Sequence, residues 1–336
     1  GKGGYSLALA RKAIDMLVHT ANNLQSGLYD ANKAVYSLLK YGAKVKENPG
    51  EAEKTVYFID WNDTSKNDFY IAEEVTVVGN QIKRPDIVVY VNGIALAVLE
   101  LKKSTISVSD GIRQNLTNQK ANFIQQFFTT MQFCIAGNNS EGVRYGTLLT
   151  PEKYYLEWAD DGFTEFADER DETDILIEEK CKEIPDKLFK GLFSLFYKRR
   201  FLDLVYNFVI FDKGIKKVCR YNQYYAIKRA QKRLAKGKNG IVLHTQGSGK
   251  SLTMVWLSKW ILENKPNARV LIVTDREELD DQIEKLYKGV DEQIVRSKSG
   301  ENLISILDSY EDRMICSLVH KFGRKGGEIN ENDYDK

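Results

Sequence analysis

The spacing of apolar and polar positions changes repeatedly along this 336-residue chain. From Leu7 to Tyr41 it is helical: Asp30-Ala31-Asn32 precedes a run with Val35, Leu38 and Leu39 on one side. Between Thr55 and Leu101 the period shortens. TVYFID (55–60), FYIAEEVTVV (69–78), DIVVYV (86–91) and IALAVLEL (94–101) are rich in β-branched and aromatic residues. Asn, Asp and Gly separate them, so they predict strands. After a helical stretch, MQFCIAG (131–137) and VRYGTLL (143–149) predict two more. Residues 157–186 lack strong periodicity and are the candidate linker. A second α/β unit follows: GIVLHT (240–245) as a strand, a helix over 251–264, ARVLIVT (268–274) as a strand and a helix over 276–288. Such alternation predicts a parallel sheet. The expected class is therefore α/β, with a mixed-sheet domain followed by a parallel unit.

The second unit opens on a phosphate-loop pattern, LHTQGSGKSLTM. Glycines at 247 and 249 let the backbone turn tightly, so that successive N–H groups point at phosphate oxygens, and the following helix N-terminus adds positive charge. Lys250 would reach the β- and γ-phosphates, and the Ser251 hydroxyl would hold Mg²⁺. The pattern asks for Gly six residues before the lysine, where His244 stands. The bland reading is a glycine-rich strand-to-helix turn without a ligand. A Walker B acid should follow on another strand. VLIVTD ends on Asp275, but only 25 residues after Lys250, on the very next strand, so the nucleotide site is incomplete within this chain.

The first unit carries a different constellation. Asn92-Gly93 between two apolar runs predicts a hairpin with a type I′ turn. Asp86 lies at the start of the first run, and Glu100 and Lys102 share a face at the end of the second. Two convergent carboxylates suit a hard cation of the Mg²⁺ type, which polarises a phosphodiester, and a nearby lysine stabilises developing charge. This is the D-x(n)-E-x-K arrangement of metal-dependent nucleases. Parity opposes it: across a two-residue turn Asp86 sits opposite Leu99 and faces away from Glu100. A shared site therefore requires an odd loop, a bulge or a splayed strand start. The alternative is an exposed strand end with solvated charges.

Composition adds limits. The chain is long enough for two domains. No apolar run reaches the ~18 residues of a membrane span, and no signal peptide opens the chain. Cys134, Cys181, Cys219 and Cys316 show no CxxC spacing, which argues against a zinc site or disulfide framework and fits a reducing cytoplasm. The net charge of +2 conceals an asymmetry: residues 157–186 hold 13 Asp/Glu against 3 Lys/Arg, and residues 198–238 hold 13 Lys/Arg against 2 Asp. The basic stretch fits a polyanion partner or a solvated helix face.

Taken together, the two motifs resemble the motor-nuclease (R, HsdR) subunit of type I restriction enzymes, a PD-(D/E)xK nuclease fused to a superfamily 2 helicase-like motor. NDFYIAEEVTVVGNQIKRPDIVVYVNGIALAVLELKK resembles the nuclease core and GVRYGTLLTPEKYYLEW its end. RFLDLVYNFVIFD and CRYNQYYAI resemble the approach to the motor, LHTQGSGKSLTM motif I including His244, VTDREELDDQ motif Ia, and SLVHKF a later segment of the same lobe. The resemblance implies a restriction-endonuclease-like nuclease domain over 1–160, an acidic linker over 161–190 and a truncated RecA-like motor lobe over 191–336. It implies Asp86, Glu100 and Lys102 as the nuclease centre, with Asp86 and Glu100 on its Mg²⁺ and Gln114 assisting. For ATP it implies Gln223 reading adenine, with Arg220 beside it, and Thr245, Gln246, Gly247, Ser248, Gly249, Lys250 and Ser251 around the phosphates, Ser251 on the nucleotide's Mg²⁺. Asp275 becomes part of motif Ia, and Arg276 is a candidate DNA contact, against a surface salt bridge as the plain reading.

Three departures stand out. The family often has Gln-x-x-x-Tyr after the nuclease strands, but Gln114 is followed by Asn118, so the tyrosine role is vacant. Related nucleases use a Glu on an early helix, and no good candidate precedes residue 50. The chain stops before the family's Asp-Glu motif and second lobe, so the resemblance implies an internal piece of a longer subunit with little ATPase activity by itself. The parent would cut double-stranded DNA with Mg²⁺ after ATP-driven translocation, beside specificity (S) and methyltransferase (M) subunits, in the cytoplasm and without a membrane. Two rivals remain: a superfamily 2 translocase whose degenerate nuclease fold only binds DNA, and a non-enzymatic module that retained a phosphate loop. Loss of cleavage in Glu100→Ala with ATP hydrolysis retained argues against the first rival, and failure to bind ATP favours the second.

Overall fold

The computed structural model describes residues 4–159 and 172–322. The chain forms two compact units, Gly1–Lys228 and Arg229–Lys336. In the first unit, the helical pattern at the start resolves into α1 (Leu7–Asn22) and α2 (Leu28–Tyr41). Ser6 caps α1, accepting from the Leu9 amide, and Gly27 at φ 90° precedes α2. Short strands β1 (Ala43–Val45) and β2 (Lys54–Val56) pair antiparallel. Next come β3 (Phe69–Glu73), β4 (Val77–Val78), β5 (Ile82–Lys83), β6 (Ile87–Val91) and β7 (Ile94–Leu101). The expected single strand over 69–78 is split between β3 and β4, with Glu74 at φ 48° between them. Helix α3 (Val108–Asn118), β8 (Phe133–Asn138), β9 (Gly142–Gly146) and β10 (Leu156–Glu157) complete the sheet. Its order is β10-β9-β8-β7-β6-β3. Only β7 and β8 run parallel, and every other neighbour pair is antiparallel. The sheet is thus mixed, as expected. One face buries Val88, Val98 and Cys134 against Leu28, Ile124, Phe128, Met131 and Leu148. Each such side chain contributes about 1.5–3 kcal/mol by leaving water.

The acidic stretch is not all linker. Residues 160–171 lie outside the described ones, but α4 (Glu172–Glu183) and α5 (Lys187–Phe196) are helices. Ile177, Leu188 and Leu195 are buried, and so is Asp174, ion-paired with Arg200 at 2.8 Å. A buried charge persists where it is paired, and here the pair ties α4 to α6 (Lys198–Asn207). The hairpin of β11 (Val209–Asp212) and β12 (Ile215–Val218) also belongs to the first unit. Lys216 is 2% exposed, and its ammonium donates to Asn32 Oδ1 (2.8 Å), Gln132 Oε1 (2.6 Å) and the Met131 carbonyl (3.2 Å). Asn32 in turn donates to the carbonyls of Phe128, Thr129 and Met131. The Tyr145 hydroxyl donates to the Cys219 carbonyl at 2.8 Å. These bonds bind residues 200–219 into the first unit, so the compact division falls at Lys228/Arg229, inside α7 (Tyr221–Ala235), rather than near residue 190.

The second unit holds α8 (Lys250–Asn264), β13 (Val270–Thr274), α9 (Glu277–Gly289), β14 (Val295–Arg296), α10 (Gly300–Ser309) and β15 (Met314–Leu318). The three strands are parallel in the order β13-β15-β14, matching the expected parallel sheet. The expected strand over 240–245 is absent: these residues carry no strand pairing, and Ile241 and Leu243 are 94% and 91% exposed. An apolar run becomes a strand only beside a neighbour that takes its backbone N–H and C=O groups. None of the described strands of this unit lies alongside it. Among the described residues no helix is long and apolar enough to cross a membrane.

Candidate active site

The hairpin of the first unit turns at Asn92 (φ 51°) and Gly93 (φ 80°), the left-handed pair that a type I′ turn needs. The Asn92 side chain donates to the Phe58 carbonyl and Asn67 Oδ1, each at 2.8 Å, and accepts from the Asp68 amide, so the tip is pinned. Near the tip the register is Val91 to Ile94 and Tyr90 to Ala95. One step further it is Val89 to Ala97, and Leu96 is left as the extra residue of a β-bulge. Beyond the bulge Val88 faces Val98 and Ile87 faces Leu99. The next step therefore sets Asp86 against Glu100, on one face. A two-residue turn alone would have put them on opposite faces, and the bulge restores the parity that the sequence required. Asp86 Oδ2 accepts the Leu101 amide at 2.6 Å, which locks its carboxylate at the end of β7.

Glu100 has 0% exposure. Neither of its carboxylate oxygens receives a hydrogen bond. Burial raises its pKa to about 8, and the negative charge of Asp86 adds to the rise. Lys102 and Gln114 oppose it. Lys102 Nζ lies 4.0 Å from Glu100 Oε2 and donates to Gln114 Oε1 at 2.8 Å. Gln114 comes from α3, which Ser107 caps and which Arg113 ties to Glu152 (2.8 Å). All four residues named from the sequence for this site thus meet at one end of β6 and β7. Asn118, at the position of the vacant tyrosine, is 3% exposed.

A buried carboxylate that accepts no hydrogen bond, with one ammonium no nearer than 4.0 Å, is costly unless a further cation compensates it. The donor set is two carboxylates, oxygen ligands of the kind that Mg²⁺ takes. Asp86 and Glu100 therefore fit a hard divalent cation.

In the second unit, Thr245, Gln246, Gly247, Ser248, Gly249, Lys250 and Ser251 form one loop and the first turn of α8. Gly247 and Gly249 adopt φ 78° and 85°, left-handed values that favour glycine. Ser248 Oγ donates to the Thr245 carbonyl at 2.7 Å. Lys250 Nζ donates to the carbonyls of His244 (3.3 Å) and Thr245 (3.2 Å), folding its ammonium back over the loop. Arg276 is exposed and lies 3.6 Å from Asp275, the plain surface pair that the sequence also allowed. Such a pair contributes about 0–1 kcal/mol. In the first unit Gln223 is 2% exposed, and its side-chain oxygen accepts the Arg220 amide at 2.8 Å at the start of α7.

Residues 6–154 match the family profile of the type I restriction enzyme R protein N terminus, and residues 222–335 match that of the SWI2/SNF2 ATPase. The MjaIXP endonuclease subunit assigned to a type I restriction enzyme of Methanocaldococcus jannaschii is 29% identical over 87% of this chain and 30% of its own length. The HindI endonuclease subunit of Haemophilus influenzae is 28% identical over 84% of this chain and 27% of its own. This chain therefore resembles the type I restriction enzyme R proteins. A Staphylococcus aureus type I restriction enzyme endonuclease subunit, 27% identical over 82% of this chain, covers the same ground. The chain spans about a third or less of the length of the R-protein relatives it matches.

Asp86, Glu100, Lys102 and Gln114 all fall within the R-protein match, and the phosphate loop, Gln223 and Arg276 within the ATPase match. Arg220 falls outside both. Sequence reasoning passed over two residues that hold α3 in place. Asn115, 0% exposed, donates to the Ile135 carbonyl at 2.9 Å. Gly111 lies buried against the strands. The one available signal was a glycine inside a helical pattern, which usually has a packing reason.

Proposed function

We propose that this chain carries the nuclease domain and the first motor lobe of a type I restriction endonuclease subunit. In that reading the subunit uses ATP to translocate double-stranded DNA and cuts it with Mg²⁺. The nuclease would lie within residues 1–160 and the motor lobe within residues 191–336. The observation that carries the reading is the buried carboxylate of Glu100, which accepts no hydrogen bond, facing Asp86 with Lys102 and Gln114 beside it. Asp86 and Glu100 would hold Mg²⁺, which when bound supplies Lewis-acid polarisation of the phosphodiester. Lys102 stands where an ammonium stabilises charge developing on the phosphate, and Gln114 holds that ammonium in place. The raised pKa of Glu100 keeps its proton near neutrality until a cation displaces it.

Around ATP, the amides of Thr245 to Gly249 would cradle phosphate oxygens, and Lys250 would exchange its carbonyl partners for the β- and γ-phosphates. Ser251 would hold the nucleotide's Mg²⁺, and Gln223, with Arg220 beside it, would read adenine. Arg276 would contact the DNA backbone. Recognition and methylation would belong to S and M subunits, in the cytoplasm.

The deciding experiment is plasmid cleavage by the full-length subunit in its assembled complex, with Mg²⁺ and ATP. Asp86→Ala is expected to stop cutting while ATP hydrolysis persists. Unchanged cutting would reduce Asp86 and Glu100 to a strand end without chemistry. Lys250→Ala is expected to weaken ATP hydrolysis by about 10²-fold or more, the loss of an electrostatic contact worth about 3 kcal/mol at the transferred phosphate. A steady-state ATPase assay checks this, and a wild-type rate would remove Lys250 from the nucleotide site.

A further inference from the structure

Glycine is, short of proline, the poorest residue for a helix interior. Yet Gly111 sits inside α3, on the side that faces the sheet. Beneath it run β7 and β8, where Glu100 and Ala136 are register neighbours. A β-carbon added at 111 would lie 3.0 Å from the Ala136 β-carbon and 3.1 Å from the Glu100 carbonyl oxygen. Both distances are tighter than ordinary contact. Neither neighbour is the end of a flexible side chain, so relief has to come from the backbone: α3 rises or the strands part. Gln114 and Asn115 are three and four residues on, over the same face. Gln114 Oε1 accepts from Lys102 at 2.8 Å, a distance that a shift of a few tenths of an ångström would lengthen toward the limit of good hydrogen-bond geometry.

We propose that Gly111 is a positioning residue of the nuclease site: its missing side chain lets α3 lie against Glu100 and Ala136, and so sets Gln114 to aim the Lys102 ammonium. This inference rests on the nuclease reading above. Plain packing would also explain a glycine at a close helix–strand contact, but it predicts a change in stability and none in the chemical step.

The test is single-turnover plasmid cleavage by the full-length subunit in its assembled complex, for Gly111→Ala, Gln114→Ala and the double variant. Gly111→Ala is expected to cut about 10- to 100-fold more slowly, in line with the cost of misplacing a catalytic group. DNA affinity and ATP hydrolysis should stay as in wild type. The double variant should be no slower than Gln114→Ala, because the first change acts through the second residue. The pair Gly111→Ala/Ala136→Gly removes the nearer contact and is expected to recover part of the rate, which also answers for any general damage to folding. A wild-type rate in Gly111→Ala, or losses that multiply in the double variant, overturns the proposal. Glu100→Ala runs alongside: if it still cuts, the nuclease reading itself fails. If it is inactive while Gly111→Ala cuts normally, only the role of Gly111 is lost.

Discussion

Replacing Glu100 by alanine is expected to lower plasmid cleavage by at least about 10³-fold, a loss of about 4 kcal/mol at the transition state. The carboxylate is one of two that would hold the cation, and its removal also leaves the Lys102 ammonium without its acidic neighbour at 4.0 Å. ATP hydrolysis should be unaffected, because none of the residues proposed to hold ATP is Glu100 or touches its carboxylate. Quench-flow cleavage beside a coupled ATPase assay checks both arms. Cutting at more than a tenth of the wild-type rate would sink the assignment.

The same residue predicts a pH effect. The folded pKa of Glu100 is raised to about 8 from an ordinary 4.5, because burial, and then the charge of Asp86, disfavour ionisation. The unfolded chain therefore gives up this proton more readily than the folded one. Without divalent cation, folding stability is fullest at or below about pH 4.5 as far as this group is concerned, and declines as pH rises toward 8. A tenfold difference in proton affinity between the folded and unfolded chain corresponds to about 1.4 kcal/mol, so the loss amounts to roughly a few kcal/mol. Glu100→Gln, which cannot ionise, should flatten that decline in EDTA. Mg²⁺ should stabilise wild type at pH 8 and leave Glu100→Gln largely unmoved. Thermal melts at pH 5.5 and 8, with EDTA or Mg²⁺, provide the measurement. A wild-type melting profile as flat as that of the variant would contradict the buried environment of the Glu100 carboxylate.

Lys216→Met is the second large effect, on stability instead of chemistry. Burial pushes the Lys216 pKa well below its usual 10.5, yet its nitrogen keeps acceptors at 2.6–3.2 Å from Asn32, Gln132 and Met131. The thioether is similar in length and apolar, so it fills the space and supplies no donor. Asn32 Oδ1 and Gln132 Oε1 then lose the donor they share. An acceptor left unsatisfied in the interior costs about 1–3 kcal/mol, so the variant should lose about 3 kcal/mol in all. For a unit of this size that lowers the melting temperature by roughly 6–12 °C. Urea denaturation followed by tryptophan fluorescence gives the free energy directly. A variant within 1 kcal/mol of wild type, on the order of a surface change, would mean that the lysine is not needed by its acceptors.

Much of the first unit could be read in advance. Alternation in 86–91 and 94–101 specified two paired strands, and Asn92-Gly93 specified their turn, because only a few residues tolerate the left-handed backbone found there. The conflict in parity was legible too, since side chains alternate with period two, and it narrowed the answer to a few devices. Which device was chosen was not legible. Nothing in IALAVLEL marks Leu96 as the residue without a partner, because a bulge depends on how the strand meets both of its neighbours. The second unit erred the other way: GIVLHT has the composition of a strand but no partner strand among the described residues. The acidic stretch misled for a third reason. Weak periodicity suggested a linker, and α4 instead folds with Ile177 buried and Asp174 meeting Arg200.

The sequence by itself determined the two-part α/β order and the glycine-rich loop, and it singled out Asp86, Glu100 and Lys102 by residue type and local spacing, and Gln114 through the family resemblance. The tertiary structure alone decided that the carboxylates share a face, that Glu100 is sealed from water, that Lys216 holds β12 in the first unit and that Gly111 lets α3 reach the sheet. Those outcomes depend on contacts between residues far apart in the chain, where burial and register set the energies of groups whose chemistry the sequence had already named.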